Sequence, residues 1–158
     1  MDAVLRREIE AECVALRNAF AYHLDHKDYP AVAALFALDG VFIRTGVRLA
    51  GPANILAALR QRPADQFTRH ITTNFHFTQV DADCARAVFY NQSYFAFTPE
   101  KPPYAYSPER MMLLDFIDVF TRTPEGWRFL ERDARPLLIP EELRARLPAA
   151  AFGKASPS

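Results

Sequence analysis

Four histidines carry most of the proton-transfer chemistry this sequence can offer at neutral pH: His23, His26, His70 and His76. An imidazole titrates near ~6.5 and can take or give a proton without a large shift. One pair lies three positions apart and the other six, which is not zinc-ligand spacing. Cys13 and Cys84, the only cysteines, make neither a zinc set nor a disulfide framework. No Gly-rich phosphate loop, Gly-x-Ser-x-Gly elbow or Cys–His nucleophile pattern occurs. No metal and no cofactor are therefore expected.

His70 lies in an extended stretch. Alternation puts Thr72, Asn74, His76 and Thr78 on its face, and Ile71, Thr73, Phe75 and Phe77 on the other. A polar face on an interior strand suits a pocket, where ligand or water satisfies its groups. The competing reading is a solvated or interface face, with His70 a core histidine bonded to a backbone carbonyl. Asn74 and His76 are further candidates on that face. Asn91 shares a phase with Phe89, Ser93 and Phe95; facing inward, its amide can orient a substrate carbonyl or a water. Tyr22 can donate a hydrogen bond or pack as a ring, and Phe20 and Phe116 read as pocket wall or core.

The elements that must position these residues follow from periodicity. Asp2 to His26 reads as a helix with an apolar stripe of Ile9, Cys13, Leu16, Phe20 and Leu24. On that stripe Cys13 reads as a buried thiol. A stripe of smaller residues, Ala11, Val14, Asn18 and Ala21, ends in Asp25. Asp28 can cap a second helix with Pro30 in its first turn and an apolar run, Ala31 to Leu38, that Asp39-Gly40 breaks. Val41 to Arg44 is a short strand turned by Thr45-Gly46. Gly51-Pro52 opens a third helix, Ala53 to Arg62. Four long strands follow: Phe67–Val80, Cys84–Thr98, Glu109–Arg122 and Trp127–Ile139. Thr98 to Pro108, with Tyr104 and Tyr106, reads as a loop that is either a lid or a stiff connector. Glu141 to Leu147 is a short helix. Helices followed by antiparallel strands predict an α+β fold, with one domain over residues 1–147 and a flexible tail over 148–158.

Composition sets outer bounds. The chain has 158 residues, thirteen of them Phe, and nineteen basic residues balance nineteen acidic ones. A net charge of zero offers no basic excess for nucleic acid and favours a hydrophobic small-molecule ligand, uncharged or weakly charged, over a phosphate or a polyanion. No apolar run approaches the ~20 residues that span a bilayer. A charged N-terminus argues against a signal peptide, so a cytoplasmic protein with no membrane partner is expected. Strands apolar on both phases, with Phe75 and Phe77 opposite His70, predict a covered outer face and a homodimer or higher homo-oligomer.

Three segments carry a family likeness. They are Leu24-Asp25-His26-Lys27-Asp28-Tyr29 with Leu35 to Phe42, Thr68-Arg69-His70-Ile71-Thr72-Thr73-Asn74, and Asp118-Val119-Phe120-Thr121-Arg122 with Gly126-Trp127-Arg128-Phe129. In order and spacing the chain resembles the SnoaL-like branch of the nuclear-transport-factor-two-like superfamily over roughly Glu8 to Leu138. The resemblance implies a cone-shaped α+β fold, a strongly curved antiparallel sheet wrapped around the N-terminal helices with a pocket inside. Within the superfamily the chain is similar to scytalone dehydratases. Their helix-end Asp falls on Asp25 and their Thr-x-His histidine on His70; a second His falls on Asn91, and a Tyr beside the Asp falls on Leu24. Asp118 matches an acidic position frequent in the branch and is expected to pair with an Arg on a neighbouring strand.

The resemblance implies Asp25 and His70 as a catalytic pair, Asp25 fixing the imidazole while His70 moves a proton. A helix C-terminus disfavours an isolated anion and favours a cation, which makes an Asp–His pair there electrostatically sensible. Phe20, Tyr22, Asn74, Asn91 and Phe116 would contact substrate. The function expected is a dehydratase, isomerase or cyclase acting on a hydrophobic cyclic or aromatic molecule. The segment Thr68 to Asn74 also resembles the small subunits of ring-hydroxylating dioxygenases. That likeness implies the alternative, a non-catalytic binding protein or oxygenase subunit.

Overall fold

The computed structural model describes residues 1–97, 102–104 and 108–144. The expected tail over 148–158 and the loop residue Tyr106 lie outside the described residues.

Helix α1 (Ala3–Asp25) is capped by Asp2, whose carboxylate accepts the Val4 N–H at 3.3 Å. Its buried stripe is Ile9, Cys13, Arg17, Phe20 and Leu24. The apolar stripe read from sequence has Leu16 where the buried face has Arg17; one turn of the helix is anchored by a guanidinium instead of an alkyl group. Cys13 is fully buried, and burial pushes its thiol up to about 12, so it is an inert core residue. Asp28 caps the short helix α2 (Tyr29–Ala34) through the Ala31 N–H at 3.2 Å.

The expected continuation of α2 to Leu38 is a strand instead. β1 (Phe36–Arg44) carries Asp39-Gly40 inside an irregularity of its ladder. A Cβ on Gly40 would sit 2.7 Å from the Phe129 carbonyl oxygen, so glycine is required there by close backbone approach. A short strand that was not foreseen, β2 (Val47–Ala50), pairs antiparallel with β1, and α3 (Pro52–Arg60) follows. The long strands are β3 (Gln66–Val80), β4 (Cys84–Phe97), β5 (Met111–Thr123) and β6 (Gly126–Leu138), and α4 is described over Glu141–Arg144.

These strands form one curved, unclosed sheet in the order β2-β1-β6-β5-β4-β3. All neighbours are antiparallel except β1 and β6, which run parallel, so the sheet is not wholly antiparallel as expected. Ladder shifts interrupt β1/β6, β3/β4 and β5/β6. Bulges of this kind bend a sheet and raise its local twist.

The bulge in β3 overturns the expected alternation. Pairing runs Thr73 with Tyr90 and resumes with His76 opposite Val88, leaving two residues across from Phe89. Asn74 sits there at φ 58° and is exposed. Asn tolerates the left-handed region better than most residues. The extra residue reverses the phase, so Phe75 stacks on Phe89 at 4.8 Å and Phe77 packs against the core. The two rings assigned to an outer subunit contact are interior ones. The core they join contains Phe20, Phe36, Phe42, Phe89, Phe116, Phe120 and Phe129, several in edge-to-face contact.

Candidate active site

Between α1, α3 and the concave face of the sheet lies a cavity of about 590 Å³. Every strand contributes to its wall. Its body is apolar, with Phe20, Phe42, Leu59, Phe95 and Leu114 among the lining residues, and His70, Arg17, Arg62 and Arg132 interrupt that surface.

His70 enters from β3 and Asp25 from the last residue of α1. The carboxylate takes three hydrogen bonds: the His70 backbone N–H at 2.9 Å, the His70 Nδ1–H at 2.6 Å and the Thr68 hydroxyl at 2.9 Å. Arg62 Nη2 in turn donates to Thr68 Oγ1 at 3.2 Å. Asp25 and His70 side chains retain only 7% and 14% of their exposure. Burial pushes the Asp25 carboxyl up, but the hydrogen bonds and charge of His70, with Thr68, outweigh it and hold it below the usual range. Burial lowers the His70 imidazole. Asp25 opposes that shift, and Arg17 and Arg62 reinforce it, leaving it below its ordinary value. At neutral pH the pair is thus a carboxylate and a neutral imidazole. The bond to Asp25 places the proton on Nδ1 and leaves Nε2 with its lone pair, the state a general base requires.

The second polar group of the wall was missed by sequence reasoning. Arg17 is 1% exposed; its Nη2 donates to Asn91 Oδ1 at 2.7 Å, while Nε and Nη1 are buried without a hydrogen-bond partner. Arg132, from β6, donates through Nη1 to Asp118 Oδ2 at 2.6 Å, with both side chains fully buried. This is the strand-to-strand pairing expected for Asp118. The Arg132 guanidinium lies 4.1 Å from the Phe20 ring centre and 4.3 Å from that of Phe116. Its Nε and Nη2 are also without partners. Burial pulls Arg132 down to about 10, which still leaves it charged at neutral pH. The available signal for Arg17 was its position four residues after Cys13 and three before Phe20, within the apolar period.

The remaining sequence candidates divide. Phe20 and Phe116 line the cavity. Asn91 is fully buried, but its carbonyl oxygen is taken by Arg17 and by Thr72 Oγ1 at 3.1 Å, and its amide donates to Ser93 at 2.7 Å. It holds Arg17 in place instead of presenting its amide to a ligand. Tyr22 is 62% exposed and stacks on His26 at 4.2 Å, on the side of α1 away from the cavity. Asn74 is spent on the bulge, exposed and outside the cavity wall, and His76 is exposed too. Tyr104, from the expected loop, packs on Phe67 at 4.7 Å. Among the described residues no three His, Cys, Asp or Glu side chains converge as metal ligands. Also among them, no helix is long and apolar enough to cross a membrane.

The family model of the SnoaL-like domain matches residues 6–133. No curated protein matches the chain. Among solved structures, the chain is similar to a proposed scytalone dehydratase from Novosphingobium aromaticivorans, at 18% identity and TM-score 0.73, covering 87% of this chain and 89% of that one. It is similar to ActVI-ORFA from Streptomyces coelicolor at 20% identity and TM-score 0.67, covering 82% and 97%. A type 2 hexachlorocyclohexane dehydrochlorinase, LinA, superposes with TM-score 0.69 at 15% identity, covering 87% and 94%. At these identities the likeness is one of fold.

Proposed function

This chain belongs to the SnoaL-like domain family, and on that premise we propose that it is a cofactor-independent dehydratase, isomerase or cyclase acting on a hydrophobic cyclic or aromatic small molecule. The observation that carries the reading is the Asp25–His70 pair at the wall of an apolar cavity, with Nδ1 tied to the carboxylate at 2.6 Å. His70 Nε2 removes a proton from a ring carbon next to a carbonyl. Asp25 keeps the tautomer fixed and stabilises the imidazolium as it forms. The imidazolium then returns the proton, either to a departing hydroxyl on the adjacent carbon or to a different position of the ring. The first path is a dehydration and the second an isomerisation. The apolar walls exclude water, which strengthens each electrostatic contact of the pair. Structural neighbours named as a scytalone dehydratase and a dehydrochlorinase support elimination as the reaction class.

The test is turnover of a panel of hydroxylated cyclic ketones in D2O, followed by mass spectrometry for loss of water and for deuterium at the ring carbon. The wild-type protein is expected to act on at least one of them and H70A on none. Equal conversion by both removes His70 from the reaction.

Self-association and a cytoplasmic location are part of the same proposal. With Phe75 and Phe77 inside, the outer face of the sheet offers Ile71 and Tyr90, each about half exposed, as the support for a homodimer. Light scattering at micromolar concentration tests it.

A further inference from the structure

The chain is neutral, but the cavity is not. Arg17, Arg44, Arg62 and Arg132 all contribute to its wall, and among the described residues no carboxylate does. Asp25 stands behind His70, and Asp118 is engaged by Arg132. Arg17 and Arg132 both lie over the rings of Phe20, Phe89 and Phe116, so two guanidiniums share one region of the core. Burial lowers Arg17, and the like charge of Arg132 lowers it further; Asp118, and after it Asp25, oppose this. Two cations against one carboxylate leave this spot with an excess of one positive charge.

Hydrogen bonding shows the same deficit. Arg17 has Nε and Nη1 unpartnered and Arg132 has Nε and Nη2 unpartnered, all four buried, against one unpartnered buried acceptor of the cluster, Asp118 Oδ1. Buried donors of a charged group are costly to leave unmade. Four free donors against one free acceptor leave the cluster short of acceptors, which a ligand in the adjoining cavity can supply. The free Nε and Nη2 of Arg132 lie on one edge of the guanidinium, the edge that meets a carboxylate in a side-on fork. An apolar ring ligand without charge would leave these donors unsatisfied and the excess charge in place.

We propose that the cavity's ligand is an organic anion, an alicyclic or aromatic carboxylic acid whose carboxylate sits on Arg17 and Arg132 while its ring lies along Phe42, Phe95 and Leu114. This rests on the reading of the cavity as the ligand site and adds the substrate's charge to it. It narrows the uncharged or weakly charged ligand that a net charge of zero favours to a charged one. Asn91 is then a positioning residue, since its carbonyl oxygen holds Arg17 Nη2. Held at its carboxylate, the ring has a fixed orientation relative to His70 Nε2, as proton transfer from a single carbon demands.

Calorimetric titration of the whole chain at pH 7.5 with 1-naphthoate and with its neutral isostere 1-naphthamide tests this. The expected result is naphthoate binding at least about tenfold tighter than the amide, and R17M narrowing that ratio to about threefold or less without weakening the amide. Equal affinity for the two probes in the wild-type protein overturns the proposal, as does binding of neither, and both outcomes stand whether or not R17M folds. A ratio unchanged in a folded R17M also overturns it. H70A separates this from the catalytic reading. It is expected to keep the preference for naphthoate while losing turnover; preference kept together with full turnover removes the catalytic role of His70 alone.

Discussion

Asp25 grips His70 at two points: one carboxylate oxygen accepts the backbone N–H at 2.9 Å and the other the ring Nδ1–H at 2.6 Å. The first contact fixes where the strand crosses the end of α1. The second fixes the tautomer and plane of the ring. A single carboxylate thereby ties the helix terminus, the sheet and the candidate base together.

That double contact predicts how substitutions divide. H70A is expected to lower kcat/KM by 10²–10⁴-fold, the usual range for a general base. D25N keeps the shape but donates from its amide where Asp25 accepts, and a loss of about 10²-fold or more is expected, mainly in kcat. Y22A, on the exposed side of α1, is the control and should stay within about twofold. A D25N variant with wild-type kcat contradicts the role given to the carboxylate.

The His70 environment predicts a titration. Its midpoint, read from ring NMR signals, should lie below the ordinary ~6.5, because burial, Arg17 and Arg62 outweigh Asp25. R62Q removes one of the lowering cations and should move the midpoint up, while D25N removes the raising partner and should move it down. The acidic limb of kcat/KM should follow the same midpoint. A wild-type midpoint above 6.5 would mean that His70 is stabilised as imidazolium and is poised as an acid.

Stability should fall with acid for the same reason. A histidine with a lowered folded pKa leaves the unfolded chain binding more protons, so its contribution is complete above ~6.5 and is lost as pH falls toward the folded value. Asp25, held low, contributes above ~4 and loses its share as pH falls through its depressed folded pKa. Asp118, pushed up to about 6 by burial, acts with the opposite sign between that value and ~4. Urea unfolding at pH 7.5 and 5.5 should therefore be compared between wild type and H70A. The loss between the two pH values should be smaller in H70A, and an equal or larger loss contradicts the lowered imidazole.

Asp118 is the carboxylate on which the buried arginines depend. D118A leaves Arg132 and Arg17 without it and is expected to cost about 3–5 kcal/mol, the range for breaking a buried pair from one side. Chemical denaturation gives the value, and a cost under about 1 kcal/mol would falsify the idea that Asp118 neutralises this part of the core.

The bulge makes its own prediction. N74V forces a β-branched residue to φ 58° and should destabilise by about 1–3 kcal/mol. N74G should be neutral to within about 0.5 kcal/mol. A tolerated valine would mean that the phase reversal does not depend on this backbone conformation.

Much of this protein is carried by local sequence. The α1 stripe, the Asp2 and Asp28 caps and the four long strands are readable from it, because helix and strand periodicity and capping chemistry act over a few residues. The segment resemblance also pairs Asp25 with His70, 45 positions apart in the chain. What the tertiary structure decided depends on contacts between distant segments. The strand phase beyond Thr73 turns on one bulged residue, and an alternation rule carried across it moved Phe75 and Phe77 to the wrong side. The turn from α2 into β1 depends on the Phe129 carbonyl that approaches Gly40. Arg17 looks from sequence like a solvated residue on a helix flank. It is buried because Asn91, the rings of Phe89 and Phe116, and the Asp118–Arg132 pair meet it from three strands, β4, β5 and β6. Net charge adds over the whole chain, whereas the field inside a cavity depends on which charges face it. Zero in the first is therefore compatible with an excess of arginine in the second.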